Sequence, residues 1–137
     1  MTERTGQCLC GQVSYRLKAD PIVTAVCHCK HCQRQAGSAF SVIALAPTAA
    51  VEINGELKTY EDTADSGAAL ERKFCPNCGS AMFSAQPANP DAIIIKAGTF
   101  DDTDWLKPAV HVWCDSAQPW VEISDKAVKF PGNAPGS

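Results

Sequence analysis

A chain of 137 residues, 45% hydrophobic and 20% charged, has the composition of one soluble globular domain with a real hydrophobic core. Its net charge of -3 argues against nucleic-acid binding, which needs a basic face to meet phosphates. The opening Met1-Thr2-Glu3-Arg4-Thr5-Gly6-Gln7 has no apolar signal segment, and the longest apolar stretch, Val42 to Val51, is broken by Pro47. Export and membrane insertion are therefore not expected, and a cytoplasmic location is.

In chain order, Gly6 to Gly11 reads as a tight turn between strands, with Gly11 suited to a positive φ. Gln12 to Leu17 alternates polar and apolar residues as a half-buried strand does, and Asp20-Pro21 ends it. Ile22 to Val26 is a second strand, and Lys30 to Ala36 a short helical turn capped by Gly37. Ser38 to Leu45 is again strand-like. Val51-Glu52-Ile53 and Leu57 to Tyr60 flank Asn54-Gly55, a strong hairpin signal. Thr63 to Ala69 is small and polar, as a mobile loop would be.

Leu70 to Phe74 and Ser80 to Ser84 read as strands on either side of Cys75-Pro76-Asn77-Cys78-Gly79. Ala92 to Ala97, with three consecutive isoleucines, predicts a strand buried on both faces. Asp101 to Leu106 has room for one helical turn. His111-Val112-Trp113 and Trp120-Val121-Glu122-Ile123 are two further short strands. Together these predict an all-β (mainly β) domain over residues 1–132, built of several small antiparallel sheets with little helix and pinned by metal knuckles. Residues 133–137 are expected to be a disordered tail.

The eight cysteines are Cys8, Cys10, Cys27, Cys29, Cys32, Cys75, Cys78 and Cys114. A secreted disulfide framework fits neither the length nor the spacing, because cysteines one or two residues apart strain the loop they would close. Metal ligation is the better reading. Structural zinc takes four ligands, supplied in pairs by separate loops. Cys8, Cys10, Cys75 and Cys78 make one closed site, which leaves Cys27, Cys29 and Cys32 as a second site with three thiolates and one open position.

Three protein ligands and an exchangeable fourth are the arrangement of catalytic zinc. Three thiolates make a weak Lewis acid but hold a bound thiol as thiolate at neutral pH, so the site suits thiol chemistry better than water activation. Cys75-Pro76-Asn77-Cys78 also resembles a redox pair, but no helix is expected after its first cysteine. His28, alternating with two ligands, should point away from the metal, and His31 should face solvent. His111 is a candidate for a direct or supporting role at the site. Cys114 reads as a small buried hydrophobe.

The motifs extend beyond cysteines: Cys8-Leu9-Cys10-Gly11, Cys27-His28-Cys29 with Cys32, Gly37-Ser38-Ala39-Phe40, Arg72-Lys73-Phe74-Cys75-Pro76-Asn77-Cys78-Gly79-Ser80, Gly98-Thr99-Phe100-Asp101 and Pro108-Ala109-Val110-His111-Val112-Trp113, with Asp115 and Trp120 after them. In this order they resemble the glutathione-dependent formaldehyde-activating enzyme family. The resemblance implies a zinc-anchored β-tent fold with two zinc ions per chain, structural at Cys8, Cys10, Cys75 and Cys78 and catalytic at Cys27, Cys29 and Cys32. It implies a carbon–sulfur lyase-type activity, the joining of glutathione and formaldehyde to S-hydroxymethylglutathione.

In that reaction zinc holds the glutathione sulfur or polarises the aldehyde oxygen while the reactants are brought together. Ser38 and His111 are candidates to serve the developing alkoxide, and Lys30, Arg34, Arg72 and Lys73 to meet the glutathione carboxylates. The alternative is a non-catalytic zinc protein that binds glutathione or a protein partner.

Overall fold

A computed structural model describes residues 3–135. The elements are β1 (Arg4–Gln7), β2 (Ser14–Leu17), β3 (Val23–Cys27), α1 (Lys30–Ala36), β4 (Ser41–Pro47), β5 (Val51–Asn54), β6 (Lys58–Thr63), β7 (Ala69–Phe74), β8 (Ala81–Ala85), β9 (Ala92–Lys96), β10 (Val110–Val112) and β11 (Val128–Lys129), with 3-10 turns between some of them. They form a three-stranded sheet, β1-β2-β5, and an eight-stranded sheet, β11-β10-β3-β4-β9-β8-β7-β6. The mainly-β expectation holds, and α1 is the one α-helix among the described residues. It spans the expected Lys30–Ala36 and ends on Gly37 in the left-handed conformation. No described helix is long and apolar enough to cross a membrane.

The large sheet is mixed rather than purely antiparallel. β10 runs parallel to both β3 and β11, and the long 97–109 connection frees it from hairpin geometry. The core lies between the two sheets. Tyr15 and Leu17 of β2 pack with Ala44, Phe83, Ile93 and Ile95 of the large sheet, and the Tyr15 ring meets Phe83 and Phe100 edge-on at 5.2 and 5.6 Å. Side chains alternate across a strand, so Ile43, Leu45 and Ile94 are carried to the other face of the large sheet. There they line a cavity instead of a second core. β9 is thus fully buried on one face only.

Three local expectations differ. Asn54-Gly55 does not close a hairpin: β5 pairs with β2 in the small sheet, whereas β6 pairs with β7 in the large one. Gly55 still needs its positive φ of 103°, because a Cβ there would lie 2.4 Å from the Gln12 carbonyl oxygen. The turn is real, but burying β2 against β5 selects a different partner. Second, Trp120 to Ile123 is not a strand and the chain joins the sheet later, at β11; Asp101 to Leu106 likewise forms turns, with Leu106 N–H donating to Thr103 O at 3.0 Å. Third, within the expected tail Asn133 is anchored, its Oδ1 accepting from Trp113 Nε1 at 2.8 Å. Residues 136–137 lie outside the described residues.

Candidate active site

The loops before β2 and β8 bring Cys8, Cys10, Cys75 and Cys78 together, all four sulfurs within 4.8 Å of one another. Each loop doubles back on a left-handed glycine, Gly11 at φ 81° and Gly79 at φ 79°. Backbone N–H groups point at the sulfurs, Val13 to Cys8 at 3.3 Å and Cys78 to Cys75 at 3.5 Å. Ser80 joins the loops: its Oγ accepts from Leu9 N–H at 3.0 Å and lies 3.3 Å from Cys78 Sγ. Bonds from Ser80 push the Cys78 thiol down to about 5. None of the eight cysteines is disulfide-bonded, and the 75–79 turn leads into strand β8 rather than a helix.

The four-sulfur site fits a tetrahedral ion by its own dimensions. Metal–sulfur bonds of about 2.3 Å require sulfurs separated by about 3.8 Å. Cys8 and Cys10 lie 3.6 Å apart, and Cys10 and Cys75 3.8 Å.

The second cluster forms where β3 runs into α1. Cys27 ends the strand, Cys29 caps the helix with its Sγ accepting from Cys32 N–H at 3.2 Å, and Cys32 sits in the first turn. Their sulfurs also lie within 4.8 Å of one another. Three thiols this close cannot all ionise unaided. Hydrogen bonds from Cys27 and Cys29 push Cys32 down to about 2, and Cys27 is held far above its ordinary value. Three cysteine sulfurs are the soft donor set that a thiophilic cation takes.

Two buried cations stand beside this cluster. Lys96, 7% exposed, donates from Nζ to Ser41 Oγ at 2.9 Å, and Ser41 is the register partner of Cys27. Arg72, 4% exposed, donates from Nε to Asp62 Oδ2 at 2.9 Å. Burial pulls the Lys96 ammonium down and the Cys32 charge pulls it back up. Both cations and all three cysteines line one cavity of about 310 Å³ on the open face of the large sheet. Ser84 also lines it, 2% exposed, and its Oγ has no hydrogen-bond partner among the described residues. Lys96 and Ser84 were missed in the sequence. The available signal was a lysine ending the apolar run Ile93-Ile94-Ile95.

The two residues expected to serve the alkoxide lie elsewhere. Ser38 follows the left-handed Gly37 turn and is exposed on a shallow outer groove with Lys30, Arg34 and Gln118, away from the cavity. Val110 and Val112 line the cavity, so His111 between them points to the opposite face. Its Nδ1 lies 2.9 Å from His28 Nε2, the rings stacked with centroids 5.2 Å apart. Burial holds both imidazoles below their ordinary value. His28 does point away from the cysteines' cavity, as its alternation predicts.

His31 is not simply solvent-facing: its ring bridges Asp62 at 2.9 Å and Asp65 at 3.1 Å. Cys114 is half-buried, outside both clusters, with its thiol 3.6 Å from His111 O. Lys73 lies on the face of β7 opposite to Arg72, away from the cavity, donating to Thr59 Oγ1 at 3.3 Å. Lys30 and Arg34 line a polar groove of about 490 Å³ that shares Asp65 and Arg72 with the cavity.

Residues 3–116 match the family described as glutathione-dependent formaldehyde-activating enzyme. The chain belongs to that family. It is 30% identical over 128 residues to a Halomonas elongata protein named for the same activity, covering 88% of this chain and 81% of that one. An uncharacterized lyase of Schizosaccharomyces pombe is 24% identical over 130 residues, with 95% of this chain and 92% of that protein covered. A crystal structure of a Rhodobacter sphaeroides protein shares the fold, with a TM-score of 0.55 over 76% of this chain and 91% of that one at 20% identity. The resemblance drawn from sequence, and the enzyme class it implies, agree with this family.

Proposed function

We propose that the protein is a zinc-dependent carbon–sulfur lyase-type enzyme that joins glutathione and formaldehyde in S-hydroxymethylglutathione, and works in a reducing, cytoplasmic compartment. Cys8, Cys10, Cys75 and Cys78 would hold a structural zinc, and Cys27, Cys29 and Cys32 a catalytic one. The observation that carries this reading is the opening of the three-cysteine cluster, but not the four-cysteine one, into a cavity that also holds Lys96. Zinc bound to the three cysteines would supply Lewis acidity and hold a substrate thiol as thiolate at neutral pH.

The chain's own residues do the rest. As the carbon–sulfur bond forms, the carbonyl π electrons move onto oxygen, and the thiol proton ends on that oxygen. Lys96, oriented by Ser41, donates a hydrogen bond to the developing alkoxide in a water-poor site, where such donors count most. The unpartnered Ser84 hydroxyl is a second donor on the same wall. Arg72, fixed by Asp62, adds positive potential without leaving its ion pair. Lys30 and Arg34 in the adjoining groove meet the glutathione carboxylates. Ser38 and His111, which face away from the cavity, have no part in the proton's path.

Exchange NMR of glutathione, formaldehyde and their adduct tests the proposal. Exchange well above the protein-free background is expected; a rate equal to background would leave a non-catalytic zinc protein.

A further inference from the structure

The cavity is far larger than a one-carbon aldehyde requires. Val23, Ile43, Leu45, Ile94, Val110 and Val112 form a continuous hydrocarbon floor across β3, β4, β9 and β10, while Asp65, Ser66, Gln86, Asn89 and Asn133 add polar groups elsewhere on its lining. Its cations are already engaged, Arg72 by Asp62 and Lys96 by Ser41. A charged peptide gains nothing from that floor, whereas the polar groove beside it, with Lys30 and Arg34, offers charge outside the cavity. A water's share of liquid volume is about 30 Å³ and a methylene is of similar size. The 310 Å³ space therefore has room for a chain of several carbons. Sites of this size bind ligands by apolar contact, with a few polar groups fixing orientation.

We infer that the carbonyl substrate of this enzyme includes aldehydes carrying an apolar substituent of roughly five to seven carbons, which lies on the Ile43–Leu45–Ile94 floor while the thiol carrier occupies the polar groove. This rests on the proposed reading, both in taking the protein as an enzyme that joins a thiol to an aldehyde and in placing the sulfur at the three-cysteine cluster. The chemistry is unchanged and redox-neutral: the thiol sulfur bonds to the carbonyl carbon, the carbonyl π bond opens, and the thiol proton ends on the resulting hydroxyl. Each methylene laid on the floor is expected to strengthen binding about fourfold.

Two unreactive probes, S-methylglutathione and S-hexylglutathione, test this by calorimetric titration of the zinc-loaded protein. The hexyl probe should bind at least about a hundredfold more tightly, with the more negative heat-capacity change of apolar burial. Ile94→Asp should erase most of that preference. If this variant fails to fold, Val23→Asp, at the 36% exposed rim, brings the same charge to the floor. Equal affinity for the two probes, or a preference untouched by a folded floor variant, would overturn the inference.

Exchange rates with formaldehyde and hexanal separate it from the activity. Catalysis of both with no gain for hexanal sinks the inference alone. Hexyl preference without catalysis of either aldehyde sinks the activity and the substrate assignment with it, and leaves only an apolar binding floor.

Discussion

Lys96 Nζ donates a 2.9 Å hydrogen bond to Ser41 Oγ, and both side chains are buried beside Cys27, whose register partner is Ser41. The lysine is thereby held as a donor at the thiolate cluster. Lys96→Met should lower kcat about 10²- to 10³-fold with KM little changed, as loss of one preorganised donor to a developing oxyanion does. Lys96→Arg should recover part of the rate. Metal analysis is the control: if Lys96→Met also loses an ion, the lysine balances the cluster's charge and is not a donor to substrate.

Asp62 ties β6 to Arg72 of β7 and to His31 of α1 through one oxygen. Asp62→Asn leaves the Arg72 charge buried without its carboxylate, a loss of about 3 kcal/mol measurable by denaturant unfolding. The pH dependence has a definite sign. Hydrogen bonding from His31, with Arg72 adding to it, lowers Asp62 from 3.8 to about 2. A depressed carboxylate contributes stability that is present above its unfolded value and lost as pH falls through its folded one. The wild-type advantage over Asp62→Asn should be constant above pH 3.8 and fade between there and about 2. A constant difference across that range would show that the charge contributes nothing.

Gly55 turns the chain between the sheets rather than within a hairpin. Gly55→Ala places a methyl 2.4 Å from the Gln12 carbonyl oxygen at a φ of 103°. Destabilisation of about 1–3 kcal/mol is expected from strain and crowding. Unchanged stability in thermal unfolding would contradict the inter-sheet turn.

The four-cysteine site joins the loop before β2 to the loop before β8. If the site holds a structural zinc as proposed, chelation or Cys78→Ser lowers the melting temperature sharply, because metal binding would there be folding free energy. Circular dichroism with metal analysis checks this. A Cys78→Ser protein that keeps both its zinc and its melting temperature would show that the site is not structural.

What was legible in the sequence was local. Paired cysteines at short spacing announced two clusters before any fold was known, and Gly37 marked the end of α1. What was not legible depends on strand parity and register. His111 looks like a site residue until Val110 and Val112 are seen to take the cavity side. Lys96 is unremarked until β9 pairs with β4 and sets it beside Ser41. Asn54-Gly55 encodes a turn, but the choice of sheet on each side is made by distant partners: Tyr15 opposite Ile53, and Arg72 opposite Tyr60.

The proposed function divides the labour between two cysteine clusters, one holding the fold and the other the reaction. Exchange NMR on Cys29→Ser, with zinc counted in the same sample, tests it directly. With two zinc ions per chain as proposed, the variant should keep one of them, a near-normal melting temperature, and exchange no faster than the protein-free background. A Cys29→Ser protein that keeps wild-type exchange, or that unfolds while Cys78→Ser stays active and stable, would contradict it.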